Sequence, residues 1–408
     1  MLRPLFPLLL ALPLPVVLMP EPLRAGGPEP VVRVLLQEAP QVQLAAPTVP
    51  ARLNDGGRVL LTLQPGERLT ARLEAGELVL QRQRPGEGAN PQPPDSDALR
   101  LQARALWFDP QIGASGTPAV GLAERSYRGR LELRPTNQSL QVINHVGVEN
   151  YLPGVVASEM PASWPQAALR AQAIAARTYA LRQRRPQAAF DLKATTASQV
   201  YGGLGAETES TRQAVGATRS LVLWHGGRLI EAVFHSSSGG RTENSGELWA
   251  GQLPYLVSVR DDDQHSPVHR WQERFEPAQL QQAFPETGGV SALQVLATSS
   301  TGRVRQLRIN GPLGSLELSG GELRQRLRLR STLISLTLEA KEAGETMAEE
   351  TAAAEPSPPT LLVEGRGFGH GVGMSQWGAH AMALRGDTAD RILQHFYRGA
   401  VIRPFSAP

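Results

Sequence analysis

Apolar and polar positions alternate in short runs through the first part of the chain. Val31–Gln37, Arg58–Leu63 and Gly129–Arg134 each place hydrophobic side chains at a spacing of two, the last most cleanly. That period predicts strands with one face buried. Near Gln166 the period changes. Leu169, Ala173, Ala176 and Ala180 recur at helical spacing through QAALRAQAIAARTYALRQRR, and Pro186 ends the run. Ser163 is placed to cap this helix, with Gln166 three residues on completing a capping box and Pro165 tolerated in the first turn. A second Ala-rich helix is predicted over Ser375–Leu384 with Gly386 as its stop, followed by a third over Asp390–Tyr397. Val290–Leu338 again reads as strands and carries no nameable chemistry. The class predicted is α+β: short strands, a few Ala-rich helices and a β-rich N-terminal region.

Two segments interrupt the pattern. Arg84–Ala98 concentrates Pro, Gly and Asp, and Lys341–Thr360 is acidic and Ala-rich, then Pro-rich. Neither composition buries a core, so the first predicts a linker and the second a disordered insertion. The expected organisation is 1–27 leader, 31–83 β-rich region, 84–98 linker, 99–340 main domain, 341–360 insertion and 361–408 the end of the main domain. The leader is the 15-residue apolar stretch Leu5–Met19 after Arg3, with small residues at Ala25–Gly27. It resembles a secretory signal and is short and Pro-interrupted for a membrane span. Export to the periplasm or cell envelope is therefore expected, with membrane attachment only if this segment stays uncleaved.

Composition narrows the chemistry. The 408 residues contain no Cys, which excludes disulfides, thiolate metal sites and a Cys nucleophile. Net charge is +3 and the basic residues are almost all Arg, Lys193 and Lys341 being the exceptions. So small an excess over this length argues against nucleic acid as partner and leaves an anionic polymer such as cell wall compatible.

Candidate chemistry concentrates after Val148. Glu159 stands between Val155–Val156 and Met160–Pro161 with Trp164 nearby. A carboxyl in that setting is expected to stay protonated longer than usual, ready to act as acid and then as base. The plain alternative is a surface carboxylate that suits the dipole of the following helix. Arg170 and Arg177 share a helix flank, and Arg177 is either aimed at the site or solvated there. Gln199 and Tyr201 are two apart, on one face if extended: an amide and a ring that suit a sugar, or a strand end with an exposed Tyr. His235 beside Ser236, Ser237 and Ser238 lacks a G-x-S-x-G elbow, and neighbours on a strand face opposite ways, so an orienting histidine is favoured over a Ser–His nucleophile. Glycine fills alternate positions from Gly365 to Gly373. In an extended chain these would bare one face to a close neighbour and turn Arg366, Phe368, His370 and Val372 the other way, for tight packing, a substrate groove or both. No dinucleotide fingerprint or P-loop fits that segment.

In order along the chain, YLPGVVASEMPASWPQAALRAQAIAARTYAL, SQVYGG, FHSSSGGRTENSGELW, PYLVSV and GRGFGHGVGMSQWGA closely resemble the stage II sporulation protein D / amidase-enhancer family. The resemblance implies an α+β domain acting on the glycan strands of peptidoglycan. It implies lytic transglycosylase chemistry on strands stripped of stem peptides, beside an amidase. The acid of the S-E-M-P block is then Glu159, and the Arg of A-A-R-T-Y is Arg177. Candidate substrate-binding side chains are Gln199, Tyr201, His235, Ser236, His370 and Gln376. Such chemistry needs one carboxylate, where ordinary glycosidases use two; Glu149 is the nearest upstream candidate for a second. The non-catalytic alternative is a glycan-binding activator of an N-acetylmuramoyl-L-alanine amidase, as amidase enhancers are. Some members hold zinc through His and Cys before the Q-x-Y-G block. Here Ser198 stands there and Cys is absent, so no metal and no other cofactor is expected.

Overall fold

A computed structural model describes residues 29–86, 98–113, 116–339 and 358–405. The leader and most of the two interrupting segments lie outside these residues. Two β-sheets organise the N-terminal part. One has seven strands in the order Leu192–Lys193, Val31–Ala39, Leu140–Gly147, Arg130–Pro135, Leu106–Pro110, Ala51–Asp55 and Arg58–Leu63. The other has six, in the order Arg125–Tyr127, Val120–Leu122, Gln41–Ala45, Arg68–Glu74, Glu77–Gln83 and Leu99–Gln102. The three strands read from alternation are all present. The fold is α+β, with a β-rich N-terminal region. The expected boundary at 84–98 does not separate two sheets, because each sheet takes strands from both sides of it. Their buried side chains, Val34, Leu44, Leu69, Phe108 and Leu133 among them, belong to one core shared with the helices.

Eight helices are present among the described residues: α1 Val148–Glu159, α2 Gln166–Arg182, α3 Glu209–Ala217, α4 Ser245–Leu248, α5 Pro277–Ala283, α6 Gly320–Arg326, α7 Gln376–Leu384 and α8 Ala389–Phe396. None is long and apolar enough to cross a membrane. The stripe of α2, from Leu169 to Ala180, is fully buried. Its alanines leave room for neighbouring helices, and α1, α3, α7 and α8 all pack on it. The α2 cap differs from expectation. Pro165 is the N-cap residue and no side chain caps the helix. Gln166 Nε2 instead donates to the Ser210 carbonyl at 3.0 Å, tying α2 to α3.

A second, smaller core gathers Trp271, Phe284, Leu307, Ile309, Leu323, Leu361 and Val363. Two three-stranded sheets supply it, Arg270–Phe275 with Thr360–Arg366 and Ile334–Glu339, and Ala292–Thr298 with Val304–Gly311 and Gly314–Ser319, together with α5 and α6. Arg270 pairs in register with Arg366, so the chain leaves and re-enters the main body at one place. The excursion thereby delivers the glycine-rich segment back beside the His235 region. That segment is not the extended strand expected beyond Arg366. Gly367, Gly369, Gly371 and Gly373 all have positive φ, between 71° and 112°. The close approach is real: a Cβ on Gly373 would lie 2.1 Å from the Val233 carbonyl oxygen, and one on Gly367 2.5 Å from that of Ser237. Alternating left-handed residues with no room for side chains leave glycine as the residue that fits.

The buried pair Arg177–Glu149 fixes the start of α1. Arg177 is fully buried, and its Nε and Nη2 donate to the two Glu149 oxygens at 2.9 and 2.8 Å. It also donates to the carbonyls of Val215 and Leu221, while the Ser220 amide donates to Glu149. Removing one partner strands a buried charge. Arg177→Met is therefore expected to lower the unfolding free energy by about 3–5 kcal/mol, with partial recovery when combined with Glu149→Gln. Urea unfolding checks this, and a loss well under about 1 kcal/mol would mean that the pair does not anchor α1.

Candidate functional site

Glu159 is the last residue of α1, at the opposite end from Glu149. Met160 is extended and turns the chain away toward α2. The carboxyl is half-buried and has two hydrogen-bond donors. The Val200 backbone N–H donates to Oε1 at 2.9 Å, and the Gln376 side-chain amide donates to Oε2 at 3.3 Å. Burial pushes its pKa above the ordinary value, and the two donors hold back only part of that shift. Three segments far apart in sequence thus meet at one acid: the end of α1, the loop around Val200 and the first turn of α7.

Each donor is positioned by its own local structure. Val200 lies between two buried side chains. The Gln199 amide donates to the Ala176 carbonyl at 3.3 Å and its oxygen accepts from Tyr151 Oη at 3.2 Å. Tyr201 is 1% exposed, with its ring 4.7 Å from Tyr151 and 5.5 Å from Tyr127. The Gly202 amide donates to Ser158 Oγ, beside Glu159. Gln376 opens α7 directly after Ser375, whose Oγ caps the helix by accepting the Gly378 N–H at 3.1 Å. Asp261 supports that cap from behind. Its Oδ2 accepts from Ser238 Oγ at 2.6 Å, and a Cβ on Gly378 would lie 1.8 Å from its Oδ1. Burial, with the charge of Asp263 added, raises the Asp261 carboxyl to about 7.

The remaining candidates divide between this cluster and its support. Gln376 is in it. Gln199 and Tyr201 do not present their side chains to a groove; they are core, and the atom that reaches Glu159 is the amide between them. Arg177 is not aimed at the acid either, being consumed by Glu149 at the far end of α1. Arg170, two turns earlier on the same flank of α2, is exposed. His235 is buried, with Nδ1 on the Val372 carbonyl at 3.1 Å and Nε2 without a partner. His370 Nε2 meets the Phe234 carbonyl and its Nδ1 accepts the Val372 N–H, both at 3.1 Å. Burial lowers both imidazoles, His370 to about 4, so both are neutral near pH 7. The two rings, 5.4 Å apart, pin the glycine-rich segment to the Phe234 strand, a positioning task. Ser236 contributes its carbonyl, which accepts the Trp377 N–H at 3.0 Å. A zinc ion does not fit before Gln199, where Ser198 Oγ accepts the Lys193 amide. Among the described residues no three His, Asp or Glu side chains gather as a metal site.

Residues 136–225 match the family model described as stage II sporulation protein. Stage II sporulation protein D of Bacillus subtilis (strain 168) is 35% identical over 289 residues, 66% of this chain and 77% of that protein. The chain belongs to the stage II sporulation protein D family. The namesake from Bacillus amyloliquefaciens is 32% identical with the same coverage. The amidase enhancer of Bacillus subtilis is 29% identical over 62% of this chain, which spans 40% of that protein. Residues 250–373 match a second model, described as a domain of unknown function. The first stretch carries Glu159 and Val200. The second contains the whole excursion with the smaller core and ends just before Gln376.

Sequence reasoning passed over several members of this site in the family fold. The Val200 N–H carries no side-chain signal. Asp261 was hidden in an ordinary acidic run, Arg260–Asp263. Glu243 and Arg303, a buried pair 3.8 Å apart, support the glycine-rich segment, with Arg303 donating to the Ser238 carbonyl at 2.8 Å. The one legible clue was Gln376 itself, a polar side chain in the first turn after a capping Ser.

The raised Glu159 pKa has a signed consequence. Below its ordinary value of 4.5 the carboxyl is protonated both folded and unfolded, and pH does not matter. Above that value the unfolded chain ionises while the folded one resists, so the wild type loses stability until the folded carboxyl titrates as well. Glu159→Gln lacks this loss. Its stability relative to wild type is expected to rise as the pH climbs above 4.5 and to level off once the folded carboxyl has ionised as well. Thermal melts across that range check it; a flat difference would mean an ordinarily solvated carboxyl.

Proposed function

We propose that this protein is an exported lytic transglycosylase that cleaves peptidoglycan glycan strands with Glu159 as general acid and then general base. The observation that carries the reading is the Glu159 carboxyl itself, its pKa raised by burial, held by Val200 N–H and Gln376 where the family motifs converge. The protonated carboxyl gives its proton to the oxygen bridging N-acetylmuramic acid and N-acetylglucosamine as that bond breaks. The resulting carboxylate takes the proton of the muramic 6-hydroxyl, whose oxygen bonds to C1. A 1,6-anhydro end forms, no water is consumed and the acid is regenerated.

A one-carboxylate mechanism agrees with the layout of α1. Glu149 lies ten residues before Glu159, roughly 15 Å along the axis at 1.5 Å per residue. Paired glycosidase carboxylates stand about 5 to 9.5 Å apart, and Glu149 is already bound to Arg177. The apolar stretch before residue 27 supports export, and the family name supports a role in sporulation or wall remodelling.

A second reading is favoured by the similarity to the amidase enhancer. In it the same site binds glycan and the protein stimulates a cell-wall amidase without cutting.

Digestion of purified glycan strands, with and without stem peptides, separates the two when products are read by mass spectrometry. Wild type is expected to release anhydro-muramic products from the peptide-free strands. Glu159→Gln is expected to lose about a hundredfold or more in rate. Absence of products from both, with strand binding intact, leaves the amidase activator.

A further inference from the structure

Close to Glu159, aromatic rings join the connection that follows it to the first turns of α7. Trp164 sits on the connection from Glu159 to α2, and Trp377 and His380 sit on the first turns of α7, just after Gln376. The Trp164 ring is 4.8 Å from Trp377 and 4.5 Å from His380, and Trp377 is 5.4 Å from His380. All three are half-buried. Trp377 is the informative one, because this large ring packs on neither hydrophobic core. Among the described residues, neither indole N–H has a hydrogen-bond acceptor in the protein, whereas the Trp271 indole donates to the Gly367 carbonyl. Burial, with His265 nearby, lowers the His380 pKa and leaves that ring neutral; its Nδ1 is shielded and unpartnered.

We propose that Trp164, Trp377 and His380 form a saccharide-stacking subsite that seats an N-acetylhexosamine ring of the glycan next to the bond presented to Glu159. The inference rests on the glycan-cleaving reading and adds the residues that grip the strand. The chemistry of the patch selects this occupant. An uncharged aromatic surface gives no anchor to a carboxylate or phosphate, but it covers the apolar C–H face of a pyranose. Two unused indole donors are available to the hydroxyl and acetamido oxygens at the rim of the ring, and burying a polar rim requires such partners. Sugar-stacking tryptophans placed one residue from Gln376 and five residues from Glu159 hold the strand beside the acid and its side-chain donor.

The test measures binding of a peptide-free N-acetylglucosamine tetramer to the full chain, by calorimetry and tryptophan fluorescence. Trp377→Ala and Trp164→Ala are each expected to weaken binding about tenfold or more, and Trp377→Phe to restore most of it. Circular dichroism melts confirm that the variants are folded. Wild-type affinity in both folded Trp→Ala variants overturns the subsite, whatever Glu159→Gln does to cleavage. So does failure of the wild type to bind the tetramer. Weakened binding in the Trp variants, with cleavage surviving in Glu159→Gln, upholds the subsite and removes Glu159 as the acid.

Discussion

The architecture around the candidate acid depends on a charge pair that has no contact with it. Arg177 and Glu149 are buried together where α1, α2, α3 and the strand Leu221–His225 meet. Desolvating both charges is expensive, and the two-pronged geometry offsets it only while every partner is in place. The arginine also satisfies the Val215 and Leu221 carbonyls, so one side chain fixes the direction of α1 against three other elements. A helix clamped at its first turn is a rigid pointer, and Glu159 is at its tip.

At that tip the protein trades solvent for two weaker donors. The Val200 amide and the Gln376 side chain take the place of water on the carboxyl oxygens without supplying a positive charge. An arginine there would have locked the group as a carboxylate; neutral donors and burial leave it able to carry a proton. Both donors are held by core interactions rather than by the acid. Gln199 and Tyr201 anchor the loop on either side of Val200, and the Ser375 cap with Asp261 sets the start of α7.

The smaller lobe, which carries the second family match, takes no direct hand in this cradle. Its contribution is geometric. By leaving at Arg270 and returning at Arg366, it feeds the glycine-rich segment along the Phe234–Ser238 stretch, where left-handed glycines let backbones touch. The neutral pair His235 and His370 and the buried Arg303 then hold that segment, and α7 follows directly from it.

The strands at Val31, Arg58 and Arg130, the α2 stripe and the two C-terminal helices were legible because each rests on a local period or a local stop signal. The family followed from motif blocks, and Glu159 stood out because its apolar neighbours are also neighbours in sequence. Other features had no local signature. The conformation of the glycine-rich segment turned on φ angles imposed by Val233 and Ser237, residues more than a hundred positions away. The roles of Gln199, Tyr201 and Arg177 depended on which side chains filled the space beside them, and a polar residue in a motif looks the same whether it faces a cleft or a core partner. The sequence by itself determined which elements form and which carboxyl sits among apolar residues, since both are properties of adjacent positions. The tertiary structure decided what that carboxyl touches, because its donors come from residues 200 and 376 and only packing brings them together.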